Sequence, residues 1–496
     1  MFKLVKNELT KIFSKKSIYV ILAIFIIISI AGVSLSKVLN NILDNSYIDS
    51  NLAYAKEYIK TIDKSTEDGK LTYAEESAYI KELELMKKYG ENSWQSYIIQ
   101  QYLHNYIYDL EYFNQNLTSY IQNVGLTQEE VKQEYDQIIK KIDNDDWRVF
   151  AEEELDNINA IIDINTNKLK DVTNINSLEE MKEQNEILKI SQQVLKWRLE
   201  KNIPYNEKNY EELLKRYQSA GTTVINMNYE YGINENNYKE KETKEYTYDS
   251  QKSYQTALSE YNVYKYKIEN GITEENNLKF VFDGIGLLFI IIVAISIAGT
   301  IVSEEFNKGT IKMLLIRPYS RKKILTSKII ATVISIIIAT IIIILADTLI
   351  YGIAYGFNTI SMPVVLYNYT TNSVITMNVY QYLLIRFLNI APMIVILFMI
   401  AIMIGTVLTS SSTAIVISLL AYMMSSLVDS IAMAYQKVWM KFIPTLNWDF
   451  SQYLYGTLPK LKGMTIEFSA TICIVLIIAM GIITYENFER KNIKNV

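Results

Sequence analysis

Apolar runs long enough to cross a bilayer constrain this chain more than any other feature. A hydrocarbon core about 30 Å thick needs roughly 20 apolar residues of helix. Six stretches reach that length: 18–38, 280–303, 327–351, 382–409, 411–434 and 465–486. One span comes first, about 240 polar residues follow, and five spans crowd into the C-terminal part. The pattern specifies an all-α, polytopic six-helix membrane protein with one large insertion between its first two spans.

Charge divides the chain in the same way. Residues 40–279 carry about 28 Lys and Arg against about 44 Asp and Glu, while the remainder carries about 21 against about 10. That split says more than the net charge of -5. Lys3, Lys6, Lys11, Lys15 and Lys16 precede the first span. Lys308, Lys312, Arg317, Arg321, Lys322, Lys323 and Lys328 cluster between the second and third spans, and Arg490, Lys491 and Lys494 follow the sixth. Residues 352–381 hold no charge at all. The positive-inside rule then expects a multi-pass protein of a bacterial cell membrane with both termini and the 304–327 loop cytoplasmic and residues 39–279 extracellular. The first span reads as a retained signal anchor, because its apolar run is long and no small-x-small site follows beyond Ser34-Leu35-Ser36. The short turn at Thr409–Thr413 makes spans four and five a tight hairpin. Residues 435–464 are dense in aromatics (Trp439, Phe442, Trp448, Phe450, Tyr453, Tyr455) and read as short interfacial or re-entrant helices.

The insertion has one proline, Pro204, and few glycines, so helices are expected near 40–64, 72–89, 93–122, 127–142, 147–171, 177–202, 206–219 and 248–269. The outermost two are expected to run on into the flanking spans. The stretch Thr222–Ile233 alternates more like a strand. Tyrosines such as Tyr97, Tyr102, Tyr106, Tyr108 and Tyr112 read either as a tyrosine-built core or as a surface that captures amphipathic or cationic molecules. Asp143-Asn144-Asp145-Asp146 lacks the glycine and distal glutamate of a calcium loop and reads as a helix cap before Trp147. The lone Cys473 allows no internal disulfide, and with only His104 beside it a zinc site of the usual ligands is not expected.

The segment most telling of function runs from Glu304 to Arg321. Gly309-Thr310 breaks the helix that leaves the second span, Ile311, Leu314 and Leu315 form a short apolar face, Pro318 ends it, and Ser320 caps the helix entering span three. A short amphipathic helix lying across the membrane face is a handle for a soluble partner. Before the first span, Phe2, Val5, Leu9, Ile12 and Phe13 share one helical face and the lysines lie elsewhere, as in an interfacial helix.

Together these segments resemble the permease subunits of type-2 ABC exporters, in which a Glu…Gly-Thr…Leu-Leu…Pro…Ser-Arg segment follows the second span. The likeness covers residues 1–38 and 280–496. It implies a cytoplasmic amphipathic interface helix (1–16), a first transmembrane helix (17–38), five further spans (280–496), and a re-entrant region (435–464). It implies coupling to an ATPase through Glu304, Glu305, Gly309, Thr310, Leu314, Leu315, Pro318 and Arg321. It also implies a second permease copy and a separate ABC ATP-binding subunit. No G-x-x-x-x-G-K-[ST] loop occurs here, so ATP and magnesium are expected on that partner and no cofactor or enzymatic activity in this chain. The extracellular insertion at 39–279 is the departure from small members of the family.

Asp283, Asp347, Arg386 and Asp429 fall toward the outer ends of their spans. They read either as a polar collar gating the exit or as groups reaching the headgroups. The expected substrate is amphipathic, an antimicrobial or signal peptide or a lipid-like compound, with cationic peptides favoured by the acidic insertion. A nucleic-acid partner is not expected. The alternative from another class is a non-transporting membrane receptor whose extracellular domain senses a ligand.

Overall fold

The computed structural model of the protein describes residues 1–43, 47–170, 174–233, 244–311 and 319–491. The chain divides into two compact units, Met1–Ser36 with Glu274–Val496, and Lys37–Thr273. Each is almost wholly helical.

In the first unit six helices are long and apolar enough to cross a membrane: Lys16–Leu39, Asn277–Asn307, Arg321–Tyr355, Val379–Leu408, Ser411–Tyr435 and Ile466–Arg490. All six expected spans are therefore present, each within a few residues of its expected limits. The second span is the hub. Its most apolar window is 72% buried, against 17% for the fifth and sixth. The fourth span packs on it, and the outer faces of the first, fifth and sixth carry exposed Ile27, Leu420, Met423, Ile474 and Ile478. Exposed aliphatics on a spanning helix are what lipid tails tolerate. Small residues permit the closest approaches. A Cβ at Gly299 would meet Ile415 Cγ1 at 2.8 Å, and one at Gly405 would meet the Gly299 carbonyl oxygen at 3.3 Å.

Local signals set the helix ends. The Ser320 hydroxyl accepts from the Lys323 backbone N–H at 3.4 Å, capping span three. Thr409, with φ 54°, and Ser410 make the short turn between spans four and five. The second span opens with a π-turn, Phe282–Gly286. Two strands, β1 (Val364–Asn368) and β2 (Ser373–Met377), pair antiparallel between spans three and four with Val364 opposite Met377. This hairpin departs from the purely helical reading. Its turn is set by Asn368, whose side-chain oxygen accepts from the Thr370 N–H at 2.9 Å. Residues 438–456 form three short helices. They dock on the sixth span through buried Asn447, whose side-chain oxygen accepts from Ser469 Oγ at 2.7 Å.

The second unit is a helical bundle with two packed cores. One gathers Ile48, Leu83, Ile98, Leu103, Ile142, Trp147, Phe150 and Tyr205. The other gathers Ile190, Trp197, Leu214, Tyr217, Ile225 and Ile268. Tyrosines build much of this interior. Tyr205 stacks on Tyr97 with ring centroids 4.7 Å apart. The Tyr102 and Tyr205 hydroxyls each donate to Glu154 Oε2 at 3.0 Å, and burial followed by the Glu154 charge pushes both phenols well above their usual pKa. Just before the helix Arg148–Lys168, whose N-cap is Trp147, Asp146 Oδ1 accepts from the Arg148 N–H at 3.1 Å.

Three expectations need correction. Thr222–Ile233 is not a strand, because the helix Lys208–Tyr231 runs through it. Its burial follows a helix and not a period of two, and Gly221 is a close contact: a Cβ there would meet Ile190 Cδ1 at 2.6 Å. The last helix of the insertion does not run into the second span. It ends at Glu269, Gly271 turns with φ 67°, and Asn276 starts a fresh helix. The 93–122 helix runs through a π-turn at Ile99–Leu103 but breaks after Asn114, and a separate helix starts at Thr118.

Candidate functional site

The densest buried chemistry lies where the N-terminal helix, Phe2–Phe13, meets spans two and three. This helix buries Leu4, Val5, Glu8 and Ile12. The apolar face is thus narrower than expected and contains a carboxylate, while Phe2 is exposed. Glu8 faces Lys328 of span three, whose side chain has no exposed surface. The Lys328 ammonium donates to Glu8 Oε2 at 2.8 Å and to the Ile301 carbonyl at 3.1 Å, and lies 2.8 Å from Glu305 Oε1. The Lys11 ammonium closes the ring, 3.2 Å from Glu8 Oε1 and 2.8 Å from Glu305 Oε1. Two carboxylates and two ammonium groups thus alternate, and the ring is neutral. Beside it Lys15 lies 3.2 Å from Glu304 and donates to Thr300 Oγ1 at 3.0 Å.

Electrostatics follow from that geometry. Burial pushes the Glu8 carboxyl up, but Lys328 and then Lys11 outweigh it and hold the group below its ordinary value. Burial lowers the Lys11 ammonium, and Glu305 with Glu8 raises it further still, to a net increase. An open cleft of about 380 Å³ adjoins the ring, lined among others by Lys15, Thr300, Glu304, Lys308 and Thr310.

The residues expected to couple to an ATPase divide accordingly. Glu304 and Glu305 sit at the ring. Gly309 has φ 67° and its N–H donates to the Phe306 carbonyl at 3.1 Å, and Thr310 Oγ1 donates to the Glu305 carbonyl at 3.4 Å, so the helix does break there. Leu314, Leu315 and Pro318 lie outside the described residues. Arg321 clasps the end of the sixth span, donating to the Glu489 and Lys491 carbonyls. Sequence reasoning missed Glu8 and Lys328 as partners. The available signal was a glutamate among the apolar positions of the N-terminal helix.

At the opposite end of the spans the four outer charges do not form one collar. Asp283 and Arg386 come together, Nε to Oδ1 at 3.4 Å, and Arg386 Nη1 donates to Asp449 Oδ1 at 3.1 Å. Tyr382 donates to Asp283 Oδ2 at 2.6 Å. Asp429 pairs separately with Lys460 at 2.6 Å. Asp347 is fully buried, accepting from Ser29 Oγ of span one at 3.2 Å, and its other oxygen has no hydrogen-bond partner among the described residues. A cleft of about 520 Å³ opens beside Arg386, bounded by Leu366 of the hairpin and by Tyr455. Asp449, Ser451 and Tyr455 come from the short helices, which sequence reasoning placed at the membrane but not at this arginine.

Among the described residues no group of three or more His, Cys, Asp or Glu is placed to hold a metal. The chemistry on offer is charge pairing across helices, suited to holding and releasing elements against one another.

Comparison with known proteins places the chain beside bacterial membrane proteins. Residues 253–494 match a family model described as "Protein of unknown function (DUF2705)". The chain is 29% identical over 234 residues to the "Uncharacterized protein YhcI" of Bacillus subtilis (strain 168), covering 46% of this chain and 74% of that protein. It is 27% identical over 200 residues to the "Uncharacterized membrane protein YdbK" of the same organism, covering 40% of this chain and 76% of that one. No solved structure matches. The chain is a membrane protein similar to these two bacterial proteins, and most of its insertion lies outside the family match.

Proposed function

We propose that this protein is the permease subunit of an ATP-driven exporter of the type-2 ABC class. Two copies pair with two separate ATP-binding subunits. Both termini and the loop between spans two and three lie in the cytoplasm, and the insertion lies outside. The observation that carries the reading is the charge ring of Glu8, Lys11, Glu305 and Lys328, buried at all but the half-exposed Lys11. It ties the N-terminal helix to the junction of spans two and three, directly beside Gly309-Thr310, where the segment expected to meet the ATPase begins.

The mechanism follows from rigidity. An ATPase that closes on ATP pushes the segment after Glu305. Because Glu305 and Glu8 share Lys328, the push reaches the N-terminal helix and span three together rather than bending one helix alone. A ring fully desolvated at Lys328 resists being pulled apart, since each separated charge would stand unpaired in an apolar place. At the far end the Asp283–Arg386–Asp449 set is the part that opens to release substrate. An amphipathic cargo, favoured to be a cationic peptide, fits the acidic insertion, whose field raises the local concentration of cations.

The test is copurification of the protein from its native membranes with an ABC ATP-binding subunit, followed by ATPase assays in lipid. The reading expects a stable complex whose hydrolysis rises with cationic amphipathic peptides. It expects Lys328→Met to keep the complex while uncoupling hydrolysis from peptide. Failure of any ATP-binding subunit to associate overturns it.

A further inference from the structure

The insertion carries a pocket that the export reading does not use. Along the helix His104–Asn114, residues 104, 108 and 112 recur every four positions and so lie on one face. Their rings touch in series. His104 and Tyr108 have centroids 4.4 Å apart, and Tyr108 and Tyr112 meet edge-on at 6.5 Å. Tyr120, on the next helix Thr118–Val124, continues the series at 5.4 Å from Tyr112. All four rings line one open pocket of about 400 Å³, with Asp109 and Asn123 on its walls and no Lys or Arg among its lining residues. Beyond the wall, Glu82 holds the His104 ring with Oε2 at 3.0 Å from Nδ1. Glu82, Glu75 and Glu76 all act electrostatically on the Tyr108 hydroxyl.

Tyr108 packs partly on the domain core, but all four rings stay partly open on the pocket side. The interior tyrosines of this domain, Tyr205 and Tyr217, are only a few per cent exposed, whereas Tyr120 is 38% exposed. What such rings offer is the negative face of their π-systems, which attracts an organic cation. A carboxylate beside them and a lining without Lys or Arg complete the recognition. An anion would be repelled, and a neutral apolar group would gain nothing from Asp109. The volume is that of a small-molecule site.

We propose that His104, Tyr108, Tyr112 and Tyr120, with Asp109, form an aromatic cage that binds an organic ammonium group. The chemistry is shared by quaternary ammonium compounds and by primary alkylamines, including a lysine side chain. The site needs neither ATP nor a partner subunit, so it stands or falls apart from the export reading.

The test is calorimetric titration of the full-length protein in lipid nanodiscs with three probes: choline, butylammonium, and 3,3-dimethylbutan-1-ol, the uncharged isostere of choline. Saturable binding of at least one cation, about tenfold or more tighter than the alcohol, is expected. Preference between the two cations then identifies the source class. Tyr112→Leu and Tyr120→Leu, which keep apolar bulk but remove the π-face, should each weaken it severalfold. The Tyr→Phe changes should stay near wild type, and Asp109→Asn should weaken cations while leaving the alcohol unchanged. Should a Leu variant unfold, the Phe and Asn variants decide by themselves. Equal affinity for the alcohol, no cation binding at millimolar concentration, or Asp109→Asn binding cations as wild type would overturn the proposal.

Discussion

Lys328 holds a charge where its side chain touches no water, and its two carboxylate partners come from elements 23 and 320 residues away. Removing Lys328 leaves two carboxylates sharing the half-exposed Lys11, and losing one partner of a buried pair costs up to about 3–5 kcal/mol. Lys328→Met should therefore release the N-terminal helix, seen as faster hydrogen exchange across residues 2–13. The double variant Glu8→Gln/Lys328→Met should recover part of that loss, and a coupling near zero would show that the pair does not interact. Acidity gives an independent handle. Glu8 is held below its ordinary carboxyl value of 4.5. A depressed carboxyl contributes stability above its unfolded value and loses it as pH falls through the lowered one. Exchange protection of the N-terminal helix should then be flat from about pH 7 to 5 and fall below about 4.5, and Glu8→Gln should abolish that acid dependence. Glu8 stood in plain view in the sequence, but an isolated glutamate on a helix says nothing about which lysine it will meet.

Elements show why some assignments were legible and others not. Caps are local chemistry: Ser320 was recognisable before any coordinates, and Thr127 with Glu130 forms a reciprocal capping box that starts the helix Gln128–Asp143. The hairpin was legible in principle. Val364–Asn368 and Ser373–Met377 are rich in β-branched residues and flank a polar four-residue turn, but they sit between two spans where helix is the default. Thr222–Ile233 failed for the opposite reason. Its helix buries Val224, Ile225, Met227, Asn228 and Tyr229, a pattern set by packing on its neighbours and not by a period of two. Gly221→Ala tests that packing. The added methyl meets Ile190 and the Tyr261 ring, which stacks on Tyr217. Overpacking of this sort costs about 1–3 kcal/mol. Hydrogen exchange should rise in Ile175–Lys201, Lys208–Tyr231 and Tyr248–Glu269 while the spans stay unchanged. Equal protection would mean that the contact relaxes freely.

The whole molecule joins two units of different chemistry, a lipid-tolerant bundle and an acidic helical domain. Topology is the prediction that belongs to this scale. Cys473 is the single native cysteine and is buried, so a cysteine added at an exposed position is the site that a water-soluble maleimide reports. A cysteine at the exposed Tyr54 should react with an impermeant maleimide on intact cells, and one at Ser14 only after permeabilisation. The reverse pattern would invert the proposed orientation and place the charge ring outside. By itself the sequence determined the count of spans, the position of the insertion and the ends of most helices. These are properties of contiguous residues: twenty apolar side chains in a row favour a bilayer wherever they are, and a capping hydroxyl acts three residues away. Only the tertiary structure decided which charges meet. Glu8, Glu305 and Lys328 are far apart in the chain and are ordinary surface types. Their selection came from the packing of three helices that leaves a dry space fitting just those partners. The same holds for the separation of Asp347 and Asp429 from the Asp283–Arg386 pair, because depth along a span is readable from sequence but the face turned toward a neighbour is set by the neighbour.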